Sequence, residues 1–206
     1  FSLPIAGTIW YWVGMDGITF LLMASILVFN RHWFIVLPLS ILLGTNHFEQ
    51  GFVAFFILLI ASVIVRLHRI KTPVDYRWCL LVLLGIIIGK SLLAYWFFIH
   101  ELTVLGRFYW LKQHFKIMLK QWFTHPHVLL FSFFGTGWFF VFAALKRLEY
   151  LRMALLCSLA LLTILSLVSG DQTRVIALTS FPLLHVFLIA NQDFLRRVDE
   201  KEIAII

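Results

Sequence analysis

The sequence predicts an all-α fold, a polytopic bundle of transmembrane helices with a short helical hairpin and an outer, interfacial amphipathic helix. Three observations predict it. Hydrophobic residues fill 62% of the 206 positions and charged residues 13%, against about 45–50% and about 25% in soluble domains. Mean hydropathy is +0.95. The apolar runs are separated by short turns that carry most of the charge, the pattern of chains that cross a bilayer repeatedly. The same features exclude other classes. A net charge of +7 that sits in short turns sets orientation, so no nucleic-acid partner is expected. Cys79 and Cys157 lie beside or within apolar runs and read as small core residues, without a disulfide framework or a CxxC metal pair. Phe1 stands where an initiator methionine would, and no cleavable signal peptide precedes it. Residues 1–206 are therefore expected to form a single membrane domain of a longer chain.

The first helix is expected from about Asp16 to Phe29, after an aromatic cluster at Trp10, Tyr11 and Trp12. Asp16 suits its start, because a carboxylate favours the positive end of a helix dipole. Trp33–Gly44 and Phe52–Val65 are apolar runs shorter than the about 20 residues a full span needs. Arg31 and His32 precede the pair, and Arg66, His68, Arg69 and Lys71 follow it. Both ends are thus placed on the cytoplasmic side. The pair reads as a hairpin over residues 33–65, with a non-helical polar tip at Thr45–Gly51 that faces a cavity, since irregular backbone at membrane depth needs protein or water around it. Trp78–Ile99 is a full span carrying Lys90, which should face protein or water and seek a carboxylate, Glu49 first and Asp16 next.

His100–His127 is expected outside. Phe108, Leu111, Phe115, Leu119 and Trp122 recur at steps of three and four, and Lys112, Lys116 and Lys120 form a separate row. That is the pattern of a basic amphipathic helix, about residues 105–123, lying in a membrane surface. Its cations face either ordinary lipid headgroups or a phosphate-bearing lipid substrate. Further spans are expected at Val128–Leu145, Leu151–Val168 and Val175–Ala190, the last with Pro182 and His185. With this topology eleven of the 17 lysines and arginines fall inside. Arg107, Lys112, Lys116, Lys120 and Arg174 fall outside, against the positive-inside trend.

The polar groups gather at that outer side: Asp16, His47, Glu49, His100, Glu101, Arg107, His114, His125, His127, Asp171 and Arg174. Chemistry on an anionic lipid needs cations for phosphate and a carboxylate or imidazole as base. Asp16, Glu49 and His47 are the candidate catalytic groups. Arg107, Arg174, Asp171, His100 and Glu101 are the candidate substrate-binding groups. Bland readings stand beside these: Asp16 as a plain helix cap, Glu49 as a partner of Lys90, Asp171 and Arg174 as partners of each other. His125-Pro126-His127 lacks helical metal-ligand spacing, and no metal is expected. No dinucleotide, P-loop, nucleophile-elbow or zinc-protease motif is present, so no cofactor is expected.

Three stretches together resemble the later part of a GT-C membrane glycosyltransferase. They are Asp16-Gly17-Ile18-Thr19-Phe20-Leu21, Asn30-Arg31-His32 through Asn46-His47-Phe48-Glu49, and Asp171-Gln172-Thr173-Arg174 through Pro182. The resemblance implies a polyprenyl-phosphate-linked sugar as donor and an active site on the outer membrane face. In a bacterium that would be the inner membrane, with the site outside the cytoplasm. The family's usual catalytic Asp sits in a first outer loop that would lie before Phe1, which leaves Asp16 as a helix-start residue. Bacterial O-antigen polymerases, which use polyprenyl-pyrophosphate substrates and outer arginines, are an alternative. A lipid or solute transporter with Lys90, Glu49 and His185 as intramembrane relay groups is another.

Overall fold

The computed structural model describes residues 16–67, 74–102, 107–135, 138, 142, 149–166 and 172–190. Every regular element among them is a helix. In chain order these are α1 (Asp16–Val28), α2 (Trp33–Leu67), α3 (Tyr76–Ile99), α4 (Arg107–Thr124), α5 (Pro126–Phe134), α6 (Glu149–Ser166) and α7 (Gln172–Ala190). By length and composition α3 is apolar and long enough to cross a membrane, as α2 is only when its two arms are taken end to end.

The centre of the fold is α2 on α3. Within α2, His47 is non-helical, with φ −152° and ψ 77°, and the contacts on either side of it run in opposite directions. Before it, Leu37 and Ser40 lie against Gly85, while Ile41 and Gly44 lie against Gly89. After it, Phe48 faces Lys90, Ser62 Oγ lies 3.9 Å from Cys79 Sγ, and Arg66 reaches Asp75 at 3.6 Å. Residues 33–46 are thus parallel to α3 and residues 48–67 antiparallel to it. The chain reverses at His47, and the expected hairpin forms. Its tip differs from expectation: the reversal needs one non-helical residue, where the sequence suggested an irregular loop over Thr45–Gly51.

Glycine makes that packing possible. A Cβ at Gly89 would sit 2.1 Å from the Ile41 carbonyl oxygen, and one at Gly44 would sit 2.2 Å from the Ile86 carbonyl oxygen. At Gly85 it would meet Ser40 Cβ at 2.6 Å. Ser40 and Gly44 on one helix, and Gly85 and Gly89 on the other, are pairs of small residues four apart. This spacing lets two helices in a lipid environment approach backbone to backbone. The motif Gly85-Ile86-Ile87-Ile88-Gly89 is visible in the sequence.

Around this pair the remaining helices share one apolar core that includes Met23, Ile26, Leu43, Phe55, Leu58, Ile86, Leu162 and Ile176. Phe20 of α1 packs on Phe181 of α7, ring centres 4.6 Å apart. The buried Ser180 hydroxyl of α7 donates to the Phe133 carbonyl of α5. The helix expected over Val128–Leu145 is interrupted: α5 stops at Phe134, because Gly135 takes φ 53°, a backbone region that glycine enters at no steric cost. Beyond it the Trp138 indole donates to the Leu130 carbonyl at 2.8 Å, folding back over α5.

The C-terminal end of α3 is capped by a turn. Glu101 N–H donates to Phe98 O at 3.3 Å and Leu102 N–H to Phe97 O at 3.0 Å, with Glu101 at φ 55°. This is the paired hydrogen-bond pattern that ends helices on a left-handed residue. The last two turns of α3 stand clear of the packed hairpin. Leu92, Tyr95, Trp96, Phe98 and Ile99 are all exposed there.

Candidate functional site

Asn46 and Thr19 hold the site together. The Asn46 amide donates to the Thr19 hydroxyl at 2.8 Å, and Thr19 is fully buried. Thr19 is one turn along α1 from Asp16, which opens that helix and is itself buried. The bond therefore pins the start of α1 to the tip of the hairpin. The tip brings its own titratable pair, with His47 Nδ1 3.7 Å from Glu49 Oε2. When the imidazole is protonated this is an ion pair; when neutral, the imidazole is a base beside a carboxylate. The three residues singled out as catalytic candidates, Asp16, His47 and Glu49, thus belong to one end of the packed unit.

Lys90 stands at the same level. Its neighbour Gly89 touches Ile41 and Gly44, and its ammonium lies 5.7 Å from the centre of the Phe48 ring. The expected buried pair with Glu49 or Asp16 does not form. Lys90 is exposed, and among the described residues no carboxylate comes within 4.0 Å of its ammonium.

Gln50 was missed by the sequence reading. It is 3% exposed, and among the described residues its side-chain oxygen has no hydrogen-bond partner. A buried amide left so costs free energy, which marks the tip as polar beyond what packing needs. The only signal for it in the sequence is a polar residue at the edge of the apolar run that starts at Phe52.

The candidate binding residues are placed elsewhere. His100 caps α3, its Nδ1 2.8 Å from the Trp96 carbonyl and its ring stacked on Trp96. Glu101 follows in the turn. Both stand about 15 Å beyond Lys90 along α3, at 1.5 Å per residue, so they do not join the tip directly. Arg107 opens α4 and Arg174 lies in the first turn of α7; their side chains, and all of Asp171, lie outside the described residues. On α4, Lys112, Lys116 and Lys120 are exposed as a row. The apolar stripe expected beside them is only partly covered: Leu119 and Trp122 are half-buried while Phe115 is 44% exposed. Phe108 and Leu111 have side chains outside the described residues. Thr124 Oγ1 contacts His125 Nδ1 at 2.8 Å. Among the described residues no cluster of three or more His, Cys, Asp or Glu is arranged to hold a metal ion.

The tip can therefore offer a carboxylate, an imidazole and an ammonium at one level of the helix bundle, held by a partly buried amide–hydroxyl bond. No family model, curated protein or solved structure matches the chain.

Proposed function

We propose that the chain is an integral membrane enzyme of the glycosyltransferase kind, acting at the outer membrane face on a sugar carried by a polyprenyl phosphate. The observation that supports this reading is the Asn46–Thr19 bond. It gathers Asp16, His47 and Glu49 at one end of α1 and the hairpin. On this reading Glu49 or Asp16, with His47, accepts the proton of the acceptor hydroxyl as it attacks the sugar carbon, while the bond from that carbon to the phosphate oxygen breaks and polyprenyl phosphate leaves. Arg107 and Arg174 hold the phosphate, because a guanidinium binds phosphate through two parallel hydrogen bonds and lysine acts as a point charge. His100, Glu101 and Asp171 contribute around the sugar or its acceptor.

The test is sugar transfer from a polyprenyl-phosphate donor by the intact protein in nanodiscs. Asp16→Asn and Glu49→Gln should each be compared with wild type, with fold and amount controlled. A loss of about 100-fold in turnover is expected from the residue that serves as base. Arg107→Lys and Arg174→Lys should also cut turnover sharply although charge is kept. Wild-type rates in all four variants would sink the assignment.

One observation favours the transporter reading. The hairpin tip and Lys90 lie about 14 Å short of Ile99 along α3, so in a bilayer the cluster would sit beneath the outer surface, where relay groups of carriers sit. Proton or solute flux in proteoliposomes, lost in Glu49→Gln, separates it from the enzyme.

A further inference from the structure

We propose that the flank of α3 at Lys90 is a docking site for an anionic glycerophospholipid of the bilayer; this rests on the chain being embedded in a membrane, and not on its being a transferase. Three observations carry the inference.

The first is the shape of the surface. Leu80, Leu84 and Ile87 of α3 are 49%, 53% and 45% exposed. They recur at steps of four and three, so they make one stripe down the outside of the helix. Lys90 follows three residues after Ile87 and lies at the edge of that stripe, beside Phe48 of the hairpin. A cation at the upper end of an apolar track matches a lipid lying parallel to the helix, phosphate at Lys90 and acyl chains along the three aliphatic side chains.

The second is charge. Among the described residues no carboxylate lies within 4.0 Å of the Lys90 ammonium. An ammonium next to hydrocarbon is costly until it meets an anion or water, and the stripe below it is purely aliphatic. The complementary occupant is anionic.

The third is depth. Residues 33–46 span about 21 Å. They end at the level of Lys90 and are shorter than the about 30 Å hydrocarbon core. A bilayer meets short helices by thinning around them. Thinning on this flank lowers the headgroups toward Lys90, whose flexible side chain covers part of the remaining distance. Elsewhere α3, about 36 Å long, reaches the normal boundary with Tyr95 and Trp96 exposed where aromatic side chains favour the interface.

The test uses the full chain in detergent, titrated with equal amounts of phosphatidylglycerol and phosphatidylcholine and read by native mass spectrometry. Wild type should retain phosphatidylglycerol about fivefold or more over phosphatidylcholine, the scale of one lysine beside an anionic headgroup. Lys90→Met should lose that preference and Lys90→Arg should keep it. The triple variant of Lys112, Lys116 and Lys120 to Gln should also keep it. Lys90 is exposed, so the Met variant is expected to fold, and an unchanged melting temperature without lipid checks this. Preference kept in Lys90→Met, or lost only in the triple variant, overturns the inference. So does displacement of phosphatidylglycerol by polyprenyl phosphate at an equal molar ratio, which would make the flank a donor site. Failure of sugar transfer in the earlier assay leaves it untouched, and loss of lipid preference leaves the transferase reading untouched.

Discussion

The α2–α3 interface and α4 are built on opposite terms. Where α2 meets α3, backbones touch: glycine is present because Ile41 and Ile86 carbonyls occupy the space a side chain would take. Along α4 the described side chains are mostly exposed, Phe123 at 79% and Ile117 at 56%, and a lysine row is open to the surroundings. The first region derives its geometry from the chain itself. In the second, the described side chains are mostly exposed, and Trp122 is the one that packs against the core. The candidate chemistry sits in the first region, where positions are fixed by close packing. The second offers a charged and apolar surface without that precision.

The sharpest way to break this contrast is at Gly89. Leucine there would have to displace the Ile41 carbonyl, and overpacking between backbones costs about 3 kcal/mol or more. Thermal unfolding in detergent should show Gly89→Leu strongly destabilised or unfolded. Gly17→Ala is the counterpart: nothing lies within 4 Å of its Cβ position. Alanine there should be neutral or stabilising by about 0.5–1 kcal/mol, from helix propensity alone. Equal effects at the two sites would mean that the close approach is not what holds the hairpin.

The link between α1 and the tip should have an intermediate effect. Asn46→Leu and Thr19→Val each remove one end of a 2.8 Å bond, and each should cost about 1–1.5 kcal/mol, the net worth of one side-chain hydrogen bond. The double variant should cost less than the sum of the two. Additive losses would show that the bond does not couple the elements.

At the end of the hairpin away from its tip the expected effects are smaller. Asp75 caps α3, accepting from Arg77 N–H at 3.2 Å, and pairs with Arg66 at 3.6 Å, with both side chains more than half exposed. Asp75→Ala should cost about 1 kcal/mol through the cap, and Arg66→Gln less than that, as exposed pairs contribute little. A larger loss for Arg66→Gln than for Asp75→Ala would point to its stacking on Tyr76, 4.4 Å from the ring centre, as the stronger term.

The smallest effects belong to α4. Single Lys→Gln changes at Lys112, Lys116 and Lys120 should leave the unfolding temperature unchanged. Each should weaken binding of the isolated 107–124 peptide to anionic vesicles by about 1 kcal/mol, measured by sedimentation. Binding unaffected by salt or by these changes would remove the lipid-surface role of the helix.

Much of the fold was legible because it is local. Apolar runs place the helices: both bounds of Tyr76–Ile99, and the C-terminal bounds of Asp16–Val28 and Arg107–Thr124, lie within two residues of the expected ones. The short runs on either side of Thr45–Gly51, flanked by basic turns, foretold a hairpin. So did the polar tip, and with it Asp16, His47 and Glu49 as members of one end. Gly135 misled the reading, since an apolar run says nothing about a residue that takes φ 53° and ends a helix inside it.

What only the tertiary structure decided are relations through space. That one residue, His47, reverses the chain follows from which face each arm lays against α3, a pairing set by where glycines admit a backbone. That Asn46 reaches Thr19 requires two helices to be brought side by side, which no spacing along the chain encodes. The sequence marked Lys90 as a cation needing a partner, because a charge in an apolar run is costly wherever it lies. Its exposure on the outside of α3, with Phe48 as its near neighbour, was settled by the rotation of that helix against the hairpin. Periodicity and composition determine which segments are helical because those depend on neighbours one turn away. The site depends on contacts between segments far apart in the chain, and these are fixed by packing.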